Sequence, residues 1–92
     1  MIQAAFGDNT LTVEGHAGFA PAGQDIVCAA VSALVYALMG TLEQKDNIAA
    51  LECRKGYVRV RARRDDPAFD VVRCGLGQLA GKFGEYVRVE ES

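Results

Sequence analysis

Leu11 and Val13 alternate with Thr10, Thr12 and Glu14, a period of two that marks a strand with one buried face. A first strand over Met1–Phe6 precedes it across Gly7-Asp8-Asn9, where glycine and asparagine tolerate the positive φ of a hairpin turn. Residues 17–24 carry Gly18, Pro21 and Gly23, which break any period and predict a loop. Asp25 reads as the N-cap of a helix running to about Met39, with Gly40 as its stop. Apolar residues cover most of that helix, which predicts burial between layers. Thr41–Ile48 is polar and reads as irregular.

A second hairpin follows over Ala49–Arg54 and Tyr57–Arg64, turning at Lys55-Gly56. Its second strand places Val58, Val60 and Ala62 on one face and Arg59, Arg61 and Arg63 on the other. Asp65-Asp66-Pro67 cap and open a second helix, proline suiting the first helical position. Phe69, Val72, Leu76, Leu79 and Phe83 give that helix one apolar stripe, and Gly84-Glu85 ends it before a short strand over Tyr86–Val89. The order ββαββαβ predicts an α+β fold with two helices packed on a largely antiparallel sheet.

Ninety-two residues suit a single domain, 1–92, too small to bury much surface and helped by pairing into a homodimer. A net charge of −2 argues against nucleic-acid binding driven by charge alone. Three cysteines fit neither a disulfide framework nor zinc-finger spacing, and no metal site is expected. Met1-Ile2-Gln3-Ala4 lacks the basic start of a signal peptide, and Ile26–Met39 is too short to span a membrane. A reducing, cytoplasmic setting follows as the expectation.

Candidate chemistry is concentrated at one place. If Asp25 is the N-cap, Cys28 is the third residue of the helix, where unpaired N–H groups and the macrodipole favour an anion and can lower a thiol pKa. His16, the only histidine, lies twelve residues earlier, and the glycine-bearing loop between them can fold back to bring imidazole to sulfur. The pair suits acyl transfer: His16 takes the thiol proton, Cys28 attacks a carbonyl, and N–H groups at the helix start hold the oxyanion. Asp25 either caps the helix or also orients His16. Ser32, one turn beyond Cys28, either lines the substrate groove near the sulfur or bonds to its own backbone. The competing reading of Cys28 is an ordinary core cysteine.

Taken as one string, Gly15-His16-Ala17 and Gly23-x-Asp25-Ile26-Val27-Cys28-Ala29-Ala30-Val31-Ser32-Ala33-Leu34 resembles the signature of the ribosomal-processing cysteine protease family, Prp. The resemblance implies a bacterial cytoplasmic protease that removes a short N-terminal extension from large-subunit ribosomal protein twenty-seven, cutting after a hydrophobic, Phe-containing motif. It implies Cys28 as nucleophile and His16 as base, with Asp25, Ser32, Gly15 and Gly23 at further motif positions. It also implies a homodimer that needs no metal or cofactor. The loop Gly18-Phe19-Ala20-Pro21-Ala22 follows no fixed family spelling, so the resemblance says less about selectivity than about chemistry.

Two other patterns compete. Gly75-x-Gly77-x-x-Ala80 mimics a dinucleotide fingerprint, but only twelve residues follow Ala80, too few for the second strand and its acidic residue. The helix glycines are instead expected to allow close packing on the first helix. The Arg59/Arg61/Arg63 face suits a non-enzymatic module docking on ribosomal RNA or another acidic partner. Cys53 alternates with Ala49 and Leu51 and is expected to be buried; Cys74 lies off the apolar stripe and is expected to be exposed.

Overall fold

The computed structural model describes residues 1–21 and 23–91; Ala22, within the expected loop, and Ser92 lie outside the described residues. Seven elements follow the expected order: β1 (Ile2–Gly7), β2 (Thr10–Glu14), α1 (Ile26–Gln44), β3 (Ala50–Arg54), β4 (Tyr57–Arg61), α2 (Ala68–Lys82) and β5 (Val87–Glu91). They form one five-stranded sheet in the order β3-β4-β2-β1-β5. Every pairing is antiparallel except β1 with β5, so the sheet is mixed and largely antiparallel.

Register puts the apolar alternation of each strand on one face. Ala4 pairs with Val13, Leu11 with Val60, and Ile2 with Val87. These side chains join the buried residues of both helices in a single core. The opposite sheet face carries Thr12, Glu14, Arg59 and Arg88 and stays open to water.

The first helix differs from the sequence reading in two ways. It runs through Gly40 to Gln44, because Leu42 is wholly buried and continues the stripe Val27, Val31, Val35, Leu38; tertiary packing outweighs the propensity of one glycine. It is also not buried all round. One stripe faces the core, while Ile26 and Tyr36 are each 60% exposed. At 19 residues it meets the length and composition of a membrane span, and its stripe packs into the core of this sheet instead.

The polar stretch after the helix is an ordered joint. Asn47 is completely buried. Its Oδ1 accepts from the N–H groups of Arg63 and Arg64 at 3.0 Å each, and its Nδ2 donates to the Arg64 carbonyl at 3.1 Å. These bonds draw the chain off the sheet, so β4 ends at Arg61 and not at Arg64. The expected arginine face is therefore split. Arg59 and Arg61 stand on the open face, whereas Arg63 Nε donates to the Ile48 carbonyl and its guanidinium lies 3.6 Å from Asp46.

Asp66 caps α2 by accepting from Ala68 N–H at 2.9 Å, and the same oxygen accepts from Lys45 Nζ at 3.2 Å. Of the helix glycines, Gly75 meets the expectation of close packing, since a Cβ there would lie 3.0 Å from Leu34; around Gly77 and Gly81 the space is open. Cys74 is exposed as expected, but so is Cys53. Cys53 pairs with Val58 on the core side of the sheet, yet β3 is the outermost strand and the helices do not cover it.

Candidate active site

Asp25 sets the geometry of the helix start. Its Oδ1 accepts from the N–H groups of Val27 at 3.0 Å and Cys28 at 2.9 Å, so Cys28 is the third residue of α1, as the sequence predicts. Its Oδ2 reaches back and accepts from Phe19 N–H at 3.1 Å. One carboxylate thus joins the nucleophile candidate's helix to the preceding loop. The Cys28 N–H, together with those of Phe19 and Ala20, holds the Asp25 carboxyl below its ordinary range, against an opposing effect of partial burial. Both oxygens are engaged by backbone, so Asp25 acts as a cap and loop anchor. The second role considered for it, orienting His16, is not what this geometry shows.

The same bonds engage three of the N–H groups at the helix start. Val27 and Cys28 N–H are taken by the Asp25 side chain, and Ala29 N–H by the Asp25 carbonyl at 3.1 Å. The sulfur itself has a donor from the loop: Ala17 N–H points at Cys28 Sγ at 3.3 Å.

Cys28, His16 and Ser32 come together. All three line each of two adjoining depressions. One continues along the loop past Gly18, Ala20 and Gly23; the other continues toward Tyr36 and the β3–β4 hairpin. Cys28 is half-buried, while His16 and Ser32 are exposed. A depression of similar size elsewhere, lined by Asp8, Asp65 and Asp70, contains neither thiol nor imidazole. No cluster of metal-ligating side chains occurs among the described residues.

The two motif glycines serve the backbone. Gly15 has φ +96°, and a Cβ on it would lie 2.3 Å from the Met1 carbonyl oxygen, so only glycine fits at the end of β2. Gly23 has φ +87° with open space around it, a loop turn and not a packing point. Sequence reasoning missed three contributors. Ala17 acts through its N–H. Gly56, known only as a turn residue, lies beside the His16 ring. Phe19 anchors the loop edge-on against Tyr86 at 5.2 Å and Phe83 at 5.8 Å. Nothing in local sequence links residues so far apart.

Comparison with known proteins places the whole chain beside one family. The family model described as cysteine protease Prp matches residues 1–88. The ribosomal processing cysteine protease Prp of Mycoplasma genitalium is 31% identical over 97 residues, covering 99% of this chain and 96% of that protein. The crystal structure of the Staphylococcus aureus Prp protease with a covalently linked product peptide superposes with a TM-score of 0.89 at 19% identity, over the whole of both chains. SMU.848 from Streptococcus mutans superposes at 0.78 with 29% identity, over 99% of this chain and 93% of that one.

Proposed function

The chain belongs to the cysteine protease Prp family, and on that premise we propose that it removes the N-terminal extension of large-subunit ribosomal protein twenty-seven, with Cys28 as nucleophile and His16 as base. Cysteine protease chemistry on a peptide comes with the family. The observation that carries the residue assignment is the convergence of Cys28, His16 and Ser32 on shared depressions, with Ala17 N–H on the sulfur.

The steps follow from these groups. His16 accepts the Cys28 proton as Sγ attacks the scissile carbonyl carbon, giving a tetrahedral intermediate whose oxygen carries the charge. The C–N bond breaks as His16 returns the proton to the leaving amine, and the thioester remains on Cys28. Water, deprotonated by His16, then attacks the thioester carbonyl and releases the extension peptide as a carboxylate, the sulfur regaining the proton from His16. Ser32, exposed one turn beyond Cys28, borders the path of the peptide, and its hydroxyl makes no hydrogen bond within the described chain. The reaction needs no metal or cofactor.

The reading extends to a cytoplasmic homodimer without direct nucleic-acid binding. The free state of Cys28, Cys53 and Cys74 suits a reducing compartment, and exposed Tyr36, Leu51 and Val71 suit a protein–protein contact. The test is incubation of a peptide spanning the precursor junction with wild type and with Cys28→Ala, read by mass spectrometry. One cut by wild type and none by the variant is expected. No cut by folded wild type removes this substrate and returns attention to the arginines of the open sheet face.

A further inference from the structure

His16 is exposed, and its imidazole makes no hydrogen bond or ion pair with any described residue. The carboxylate that could orient it, Asp25, is engaged by the backbone. A base must nonetheless hold its reacting nitrogen to within about 0.5 Å and 10–20° of the productive geometry. What the ring does face is the turn of the second hairpin. A Cβ on Gly56 would lie 3.1 Å from His16 Nε2, 3.6 Å from Cε1 and 3.9 Å from Cδ2, so the Nε2 edge of the ring occupies space that a side chain at this turn would enter. The two segments are also tied together, Gly15 N–H donating to the Gly56 carbonyl at 2.9 Å. Gly56 has φ +74°.

We propose that Gly56 is the positioning residue for His16: the absence of a side chain at the β3–β4 turn leaves the space in which the imidazole sits, in place of an orienting carboxylate. This rests on the assignment of His16 as the base. A methyl group at 3.1 Å forces the ring to move by a few tenths of an ångström, and no hydrogen bond from a described residue restores its position. Misplacement of a reacting group by about 1 Å can cost 10²-fold in rate, so a shift of this size predicts a fall in kcat of about tenfold with KM little changed.

Strain must be separated from crowding, because an L-residue at positive φ is strained whatever it touches. The full chain is assembled by ligation at Cys53 with L-alanine or D-alanine at position 56; D-alanine accepts positive φ and directs its methyl group away from the L-Cβ position. Recombinant Gly56→Asn serves if L-alanine prevents folding, since asparagine tolerates this φ yet carries the same Cβ. Expected are a kcat loss of about tenfold for the L-alanine or asparagine chain, an unchanged KM, and rescue by D-alanine. Full kcat in the folded L-substituted chain, or equal loss in the D-alanine chain, overturns the proposal. A readout free of substrate keeps the two readings apart. In wild type the imidazole protons should show nuclear Overhauser contacts to the Gly56 Hα protons, and their absence overturns the positioning role even where cleavage occurs. Loss of the base assignment would appear differently, as a His16→Ala variant that still cleaves.

Discussion

The backbone N–H of Ala17 donates to Cys28 Sγ at 3.3 Å, which ties the loop after β2 to the start of α1. Ala17 is buried, at 5% exposure, so this contact is shielded from solvent on one side. Replacing Cys28 by alanine removes the acceptor and the nucleophile together while retaining a strong helix former. The variant is expected to abolish cleavage and to keep a native circular dichroism spectrum. A variant that unfolds would instead assign the sulfur a packing role.

Asp25 links the loop and the helix through separate oxygens. In Asp25→Asn, the Oδ1 position can still accept from Val27 and Cys28, but an amide NH2 now faces the Phe19 N–H in place of Oδ2. The helix should persist and the loop should loosen. The expected result is a several-fold loss of kcat/KM with near-native thermal stability, measured by peptide hydrolysis and melting on the same preparation.

Asp66 and Asp25 together predict the acid limit of stability. Asp66 is held below its ordinary range first by Ala68 N–H and then by Lys45, with burial opposing. A carboxyl with a depressed folded pKa binds fewer protons in the native than in the unfolded state. Its contribution is therefore full above the unfolded value of about 3.9 and is lost as pH falls toward the folded value. Denaturation midpoints should thus drop below about pH 4. Asp66→Ala should be less stable at neutral pH and show a shallower acid limb; an unchanged limb would contradict the assignment.

Gly40 lies inside α1 with open space where a Cβ would stand. Gly40→Ala should stabilise the protein by about 0.5–1 kcal/mol, a rise of a few degrees in Tm. Leu42→Ala, two residues on and fully buried, should destabilise it by about 2–5 kcal/mol. If neither substitution shifts the melting curve, the last turn of the helix is not part of the cooperative fold.

Sequence by itself determined the element order, the strand faces and the position of Cys28 in its helix, because each depends on neighbours within a few residues. Period-two alternation placed Leu11 and Val13 inward, and Asp25 announced the cap that its carboxylate makes. The string from Gly15 to Leu34 also carried the family resemblance. Only the tertiary structure decided where α1 ends, since burial of Leu42 outweighs Gly40, and that Cys53 is exposed, since edge position is a property of strand order. The surroundings of the candidate base belong to the same class. His16 and Gly56 lie forty residues apart in sequence, and β4 pairing with β2 brings them together. A turn glycine looks the same in any hairpin; the side chain facing it is set by long-range packing.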